Sequence, residues 1–167
     1  MTTPKIAIGA VTSEEIGDGS VGPSDLGAIP AARVDKPLEF GILIPNDSET
    51  LADLGEAIFE TVPGMYDSGN SEFVAPVAGV YEVTAAFIWD PNSTGVRRLT
   101  LKKSDSYVIG QSDISAASSQ IQEVSGLVQL APGDTVGAYV YQNSGGTLGY
   151  PRDSRMHFDM HWVAPNM

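Results

Sequence analysis

Two histidines and an aspartate alternate with apolar residues in the segment His157-Phe-Asp-Met-His161. On a β-strand, His157, Asp159 and His161 share one face, and the apolar residues between them point to the other. Histidine and carboxylate are common metal ligands, but positions four apart on a strand are separated by ~13 Å. One ion therefore cannot reach both histidines of a chain, and we interpret this face as solvated or intersubunit. The alternative is a structural cation on the axis of an oligomer, bound by one histidine from each copy.

The sequence contains no residue set typical of a hydrolase. It has no G-x-S-x-G motif and no cysteine, and both histidines lie on one predicted strand. The carboxylate pairs Glu14–Glu15 and Asp47/Glu49 fall in polar segments that are usually solvated. The glycines at 17–19 and 145–146 fit turns and not a phosphate-binding loop. We therefore expect no catalytic residues, no metal site within one chain and no cofactor.

The charge balance excludes a large class of partners. Nine Lys and Arg residues stand against 21 Asp and Glu residues, which gives a net charge of −12 and disfavours binding to nucleic-acid phosphates. No apolar run approaches the ~20 residues of a membrane-spanning helix. Met1 is not followed by a secretion signal, so if the protein acts outside a cell we expect its release by lysis. The absence of cysteine excludes disulfides and thiolate metal sites.

The first 33 residues differ from the rest in composition and period. They are rich in Gly, Ser and Pro and contain no aromatic residue. An apolar residue recurs at every fifth position, at Ile6, Val11, Ile16, Val21 and Leu26. This period fits neither an α-helix nor a β-strand, and one apolar residue in five cannot build a core within one chain. We predict an extended anchoring arm over residues 1–33, with its apolar stripe buried by other copies or by another protein. A turn-rich leader without a partner is the alternative.

Residues 34–167 carry the pattern of one all-β domain. Alternating apolar residues and turn signals predict about eight strands, with the clearest at 73–89, 96–102, 107–110, 121–130, 135–142 and 156–163. Residues 40–44 predict an outer strand. In 47–60, Leu51, Leu54 and Ile58 lie at helical spacing, which indicates a helical turn or a loop. Polar loops are predicted at 90–95, 104–106, 112–119 and 143–155.

Three phrases of this domain point to one superfamily by their order and spacing. Phe73-Val-Ala-Pro-Val-Ala-Gly-Val-Tyr81 leads into a long strand, Arg97-Arg-Leu-Thr-Leu101 belongs to the next, and Leu130-Ala-Pro-Gly-Asp-Thr-Val136 is a turn between two others. They resemble the F-x-x-P-x-x-G-x-Y, R-x-L-x-L and L-x-x-G-D-x-V phrases of the jelly-roll heads of the complement C1q and tumour-necrosis-factor superfamily. The resemblance spans about residues 31–165. It implies a jelly-roll β-sandwich that forms a homotrimer and acts by binding.

The leader carries a second resemblance. Gly19-Ser-Val-Gly-Pro-Ser-Asp-Leu26 is similar to the G-S-V-x-x-x-D-L repeats in fibres and adaptor segments of tailed bacteriophages. The chain also lacks the collagen-like Gly-X-Y stalk of the animal heads and has no evident calcium signature. This combination resembles the phage variety of the head more than the animal one, so complement-type ligands are not implied.

A trimer needs surface that the core of one chain does not use. The predicted strands hold more large aromatic residues than two thin sheets require, and aromatic side chains dominate many interfaces. The predicted trimer interface consists of Tyr81, Phe87, Tyr139, Tyr141, His157 and His161. The alternative is that each of these aromatic residues is ordinary core.

One loop has the composition of a recognition site. Tyr150, Arg152 and Arg155 place an aromatic ring and two cations close together in an acidic chain, and this combination is frequent at binding hot spots. We predict that they contact a glycan or protein of the host surface. Pairing of both arginines with neighbouring carboxylates is the alternative.

These observations predict a non-enzymatic structural protein of the bacteriophage virion. Residues 1–33 would bind a capsid or tail protein, and residues 34–167 would project as a trimeric head on the exterior of the particle. A capsid decoration or head-fibre protein fits the short arm best. A tail-fibre or receptor-binding tip for host attachment is one alternative, and a free C1q-like adhesin is the other.

Overall fold

The computed structural model of the protein describes residues 27–35, 43–116, 121–149 and 155–166. These residues form strands and turns, with no helix among them, which confirms the predicted all-β class. The strands in chain order are β1 (Ala31–Asp35), β2 (Leu43–Ile44), β3 (Ser48–Leu51), β4 (Ala57–Glu60), β5 (Tyr66–Asp67), β6 (Glu72–Val74), β7 (Gly79–Ile88), β8 (Val96–Lys103), β9 (Tyr107–Ser115), β10 (Ile121–Leu130), β11 (Thr135–Gln142), β12 (Leu148–Gly149) and β13 (His157–Ala164).

The strands build two antiparallel sheets and one short ribbon. The first sheet has the order β10-β7-β13-β1-β4. The second has the order β5-β6-β11-β8-β9, with β3 pairing with the remaining part of β11. β2 and β12 form the ribbon. Strands distant in sequence are therefore neighbours, as where Val34 of β1 lies opposite Phe158 of β13. Such crossovers between two antiparallel sheets are those of a jelly-roll sandwich.

One apolar core fills the space between the sheets. In β7 the odd-numbered side chains from Tyr81 to Phe87 point inward, as the alternation predicts, and each is at most 1 % exposed. Phe158 of β13 packs against Phe73 of β6 with ring centroids 4.4 Å apart. Burying one aromatic side chain of this size contributes roughly 1.5–3 kcal/mol. This pair therefore links the two sheets at the centre of the molecule.

Two glycines let the sheets meet along the β9–β10 edge. A β-carbon on Gly126 would lie 2.8 Å from Ile109 Cγ2, and one on Gly110 would lie 2.9 Å from the carbonyl oxygen of Ser125. Larger residues at either position would push β9 and β10 apart. The sandwich therefore closes on this side, while β4 and β5 are edge strands on the other.

Buried polar side chains fill the end of the sandwich beneath the 90–95 loop. Trp89 Nε1 donates to Gln122 Oε1 at 2.9 Å, and Gln122 Nε2 donates to the carbonyl oxygen of Arg97. Arg97 is 2 % exposed, its Nη1 donates to two nearby backbone carbonyls, and desolvation lowers its pKa. These bonds fix the side chains that support the loops.

Residues 47–60 differ from the sequence prediction. The helical spacing of three apolar residues indicated a helical turn or a loop, whereas the structure has β3 at Ser48–Leu51 and β4 at Ala57–Glu60. β3 forms because Leu51 pairs opposite Tyr139 of β11. That contact joins segments far apart in sequence, so no local pattern reports it.

β9 is longer than predicted. The sequence indicated a strand at 107–110 and a polar loop from 112, but pairing with β8 continues to Ser115. The added residues Gln111, Asp113 and Ser115 are exposed, and polar residues on a solvent face weaken the strand pattern. The predicted strands 96–102, 121–130, 135–142 and 156–163 agree with β8, β10, β11 and β13 to within one residue.

Candidate interaction surfaces

β13 presents its polar residues on the outer face of the first sheet, because the apolar residues between them are buried in the core. The antiparallel register places Arg33 of β1 beside Asp159, and Glu82 of β7 beside His161. His157 lies on the same face at the start of the strand. We call this surface the histidine face; its members are Arg33, Asp35, Glu82, His157, Asp159 and His161.

Asp159 is the centre of the first group of charges on the histidine face. Arg33 Nε donates to Asp35 Oδ1 at 2.7 Å, and Arg33 Nη1 lies 3.4 Å from Asp159 Oδ1. His157 Nε2 lies 3.4 Å from Asp159 Oδ2. Desolvation raises the pKa of the Asp159 carboxyl, although His157 and Arg33 oppose this change. The carboxylate is therefore partly withdrawn from water without strong compensation.

The second group is more exposed. His161 Nε2 lies 3.4 Å from Glu82 Oε2, and the two side chains are 50 % and 46 % exposed. The two histidines thus pair with different carboxylates and do not converge on one point. Among residues 27–35, 43–116, 121–149 and 155–166, no three His, Cys, Asp or Glu side chains are placed to bind a metal ion.

An open groove of about 450 Å³ adjoins the histidine face. Phe59 of β4 contributes to it together with Ala31, Thr84 and His161. Phe59 is 48 % exposed, and the neighbouring Ile58 is 63 % exposed. Large exposed apolar side chains beside polar groups are typical of a protein contact surface.

A second apolar surface lies where the two sheets meet. Tyr107 and Val108 of β9 and Leu127 of β10 are 65 %, 47 % and 64 % exposed. Tyr107 and Leu127 also line a groove of about 480 Å³ with Lys103 and Gln129. We call Tyr107, Val108 and Leu127 the apolar edge. It is continuous with the outer face of the first sheet, since Leu127 of β10 lies opposite Glu82 of the histidine face.

Tyr139 and Tyr141 lie half-buried on the outer face of the second sheet. The hydroxyl of Tyr139 donates to Asp105, and that of Tyr141 donates to Asp47. Both aspartates have left-handed backbones, with φ of 62° and 56°, which Asp tolerates better than most residues. Burial, followed by the contact with Asp105, raises the pKa of Tyr139.

Cations cover the rings of the same two tyrosines. Lys102 Nζ lies 4.6 Å from the ring centroid of Tyr139, and Arg98 Cζ lies 5.7 Å from that of Tyr141. Arg98 Nε also donates to Asp113 Oδ1 at 2.7 Å. We call these five residues the tyrosine face. Its rings and hydroxyls are engaged by the same chain, and the role of both tyrosines in a trimer stays a prediction.

Two residues of the predicted trimer interface lie in the core of one chain, which corrects that part of the prediction. Tyr81 is 0 % exposed and Phe87 is 1 % exposed. The hydroxyl of Tyr81 donates to the carbonyl of Val77 at 2.8 Å, and the ring of Phe87 lies 4.8 Å from that of Trp89. The alternation that identified them points them inward, so neither offers surface to a second copy.

Three of the predicted loops meet at one end of the sandwich. The backbone N–H of Ala116 donates to the carbonyl of Gly95 at 2.9 Å. The N–H of Val96 donates to Asn143 Oδ1 at 2.6 Å, which joins the loop before β8 to the one after β11. The 104–106 turn lies apart from them, where Ser104 bonds to the first residue of β11.

Several predicted site residues lie outside the described residues. They are Tyr150 and Arg152 of the recognition loop, and the arm residues Ile6, Val11, Ile16, Val21 and Leu26. Arg155 is described and exposed. The described part of the chain enters the head beside β13, where the carbonyl of Pro30 accepts from the N–H of Trp162 at 2.8 Å. β1 begins at Ala31, so residues 31–33 pair within the sheet. No helix in the described ranges is long and apolar enough to cross a membrane.

Sequence reasoning missed the partners of the histidines and both exposed apolar surfaces. Arg33 and Glu82 come to His157 and His161 only through the register of β1, β7 and β13. Phe59 lies in a segment with an ambiguous pattern. One local signal was present: Tyr107 and Leu127 are large residues beside polar ones in alternating segments.

Comparisons with known proteins show which fold the chain has. No protein-family model matches the chain, and no curated protein matches it in sequence. Similar solved structures include the Eiger TNF of S. frugiperda, with a TM-score of 0.60, 12 % identity, and coverage of 84 % of this chain and 96 % of that one.

Murine APRIL is similar in two crystal structures. The one at pH 5.0 has a TM-score of 0.60 and 7 % identity over 81 % of this chain and 99 % of that one. The one at pH 8.5 has a TM-score of 0.59 and 9 % identity over 80 % and 98 %. At such low identity the similarity concerns the fold alone. The chain has a TNF-type jelly-roll fold.

Proposed function

We propose that the protein is a trimeric, non-enzymatic head displayed on the exterior of a bacteriophage particle and attached by residues 1–33. The observation that carries the trimer is the presence, on one chain, of two unlike apolar surfaces. They are the apolar edge with Leu127, and the groove with Phe59 beside the histidine face. Both expose large side chains that the core of the chain leaves uncovered.

Unlike surfaces associate head to tail. When the edge of one copy packs in the groove of the next, each copy retains one surface of each kind, and the contacts form a closed ring if the rotation between neighbouring copies closes. Three is the number implied by the resemblance to C1q and TNF heads. Copies with a net charge of −12 repel one another, so apolar contacts must supply the attraction.

The chemistry of the histidine face favours binding over catalysis. His157 and His161 each pair with a carboxylate on an open sheet surface. In the described part of the chain, neither histidine has a Ser or Thr hydroxyl among its hydrogen-bond or ion-pair partners. A base without a nucleophile in reach does not start acyl transfer.

The arm supports attachment to a larger assembly. Its five-residue apolar stripe needs a partner surface, and its G-S-V-x-x-x-D-L phrase resembles repeats of phage fibres and adaptors. The chain enters the head beside β13 and not through the core. An arm at this position can bind a shell while the loop end stays accessible. An extended arm joined to one such head fits a capsid decoration or head-fibre protein.

Sedimentation of the full chain tests the trimer. We expect a species of three times the 17.6 kDa of one chain at ~10 µM. A monomer at that concentration would contradict the proposal. The arm is tested by deleting residues 1–26, which leaves β1 intact. The shortened protein should keep its circular dichroism spectrum and lose binding to particles; unchanged binding would exclude the arm as the anchor.

Particle composition distinguishes the placements. A decoration protein should occur at many copies on purified capsids and raise their thermal stability. A receptor-binding tip should occur at few copies, and the free protein should block adsorption to the host. A free adhesin would be absent from purified particles, and this result would overturn the proposed virion role.

A further inference from the structure

We propose that proton uptake by the histidine face strengthens association between copies, so that the trimer tightens as the pH falls from about 8 to about 5.5. The inference rests on the proposed trimer and concerns the regulation of that same contact. Its basis is geometric. The only two histidines of the chain lie on one face of one strand, next to the groove that would receive a second copy.

The charges on this surface are unbalanced at neutral pH. Around the two histidines, β1 contributes Arg33 and Asp35, β7 contributes Glu82, and β13 contributes Asp159. β10 adds Glu123, which lies opposite the β7 residue that pairs with His157. β4 adds no charge to the groove, since its contribution is Phe59. With neutral imidazoles, these five charged residues of the described chain carry one positive and four negative charges, and two protons reduce the excess from three to one.

Covering the surface with a second copy makes this excess costly. A carboxylate beside a neutral imidazole has a net charge of −1, and moving it out of water is unfavourable. A carboxylate beside an imidazolium has no net charge. Because Asp159 and Glu82 each have a histidine at 3.4 Å, removal of water favours the protonated form of each pair. Burial within a single chain already raises the pKa of Asp159. Further burial in the assembly would act in the same direction.

Desolvation of an unpaired imidazolium would favour loss of its proton, but each histidine is paired with a carboxylate. The pair takes up the proton as a unit, whichever member holds it. Proton affinity is therefore higher in the assembly than in the free chain. Such groups stabilise the assembly below their pKa in the free chain, and the effect is lost as the pH rises through their pKa in the assembly.

Sedimentation of the full chain across a dilution series tests this inference. Between about pH 8 and about pH 5.5, the concentration at half-dissociation should fall at least ~10-fold. If dilution does not dissociate the trimer, exchange of fluorescently labelled subunits should be slower at the lower pH. A constant or acid-weakened trimer would overturn the inference and leave the proposed trimer in place. A monomer at both pH values would overturn the proposed function itself.

Variants test whether the pH dependence of association comes from the two histidines. The His157→Gln/His161→Gln double variant should reduce the pH effect to less than ~2-fold while remaining folded by circular dichroism. Glu82→Gln should tighten association at the higher pH. Asp113→Asn removes a carboxylate from the tyrosine face and should keep the full pH response. If the double variant responds like the wild type, nonspecific attraction near the pI of about 4.3 explains the change, and the histidines do not.

Discussion

The outer faces of the two sheets contain similar residue types but pair them differently. On the tyrosine face, each phenol donates to an aspartate and each ring has a cation nearby, while the hydroxyl of Thr100 between them is buried without a hydrogen-bond partner among the described residues. On the histidine face, the contacts of His157 and His161 with carboxylates are 3.4 Å long, and Phe59 beside them is 48 % exposed.

The difference shows that aromatic content alone does not identify an interface. Tyr139 and Tyr141 are large, but their polar and apolar parts already have partners in one chain. On the histidine face both histidines have long ionic contacts, and a groove adjoins them, so a second copy has more to add there. Exposed apolar surface beside an open groove is the better indicator of where another chain binds.

The largest effect on trimer assembly should come from Leu127→Glu at the apolar edge. It adds a negative charge to a contact between acidic copies and removes a 64 %-exposed apolar side chain. We expect trimer dissociation to rise ~100-fold or more, measured by sedimentation. Val96→Glu is the matched control, since Val96 is 37 % exposed on the second sheet. Equal dissociation of both variants would show that the apolar edge contributes no more to assembly than the control position on the second sheet.

Tyr139→Phe should affect stability and not assembly. The change deletes the hydroxyl that donates to Asp105, and the loss of one such hydrogen bond costs ~0.5–1.5 kcal/mol of unfolding free energy. Urea unfolding measures the loss, and sedimentation measures assembly. A trimer that weakens without a loss of chain stability would show that the tyrosine face, and not the histidine face, contacts other copies.

Asp113→Asn and Asp159→Asn should differ in their effect on the free energy of unfolding. The pKa of Asp113 is lowered by its hydrogen bond to Arg98, so Asp113→Asn should cost stability, at most ~0.5 kcal/mol for an exposed pair. Desolvation raises the pKa of Asp159, so Asp159→Asn should leave chain stability equal or higher. Both are compared by urea unfolding near pH 7 in the Leu127→Glu background. Equal losses would mean that the two faces pair their charges alike.

The smallest predicted effect is the pH dependence of the stability that Asp113 and Asp134 contribute. The pKa values of Asp113 and Asp134 are lowered by Arg98 and Lys103. Their stabilisation is present above the ordinary Asp pKa and is lost as the pH falls through the lowered values. The contribution of these residues should therefore be constant from about pH 8 to about pH 5.5. It is measured as the difference in urea midpoint between Leu127→Glu and the same chain with Asp113→Asn and Asp134→Asn.

Local sequence was sufficient for the long strands and insufficient for the surfaces. The bounds of β10 and β11 follow from alternation between turn signals, and the inward direction of Tyr81 and Phe87 was visible in the same pattern. That alternation, applied fully, would have placed both residues in the core. The neighbours of His161 depend on the pairing of β13 with β7, in which His161 lies opposite Glu82, 79 residues earlier in the sequence, and no local signal reports such a register.

Mixing two interface variants tests most directly whether unlike surfaces join the copies. Tyr107→Glu disables the edge and keeps the groove, and Phe59→Glu disables the groove and keeps the edge. Each variant alone should sediment as a monomer. A 1:1 mixture has one intact contact and should form a heterodimer of twice the 17.6 kDa of one chain. A mixture that stays monomeric, or a trimer of either variant alone, would contradict the account.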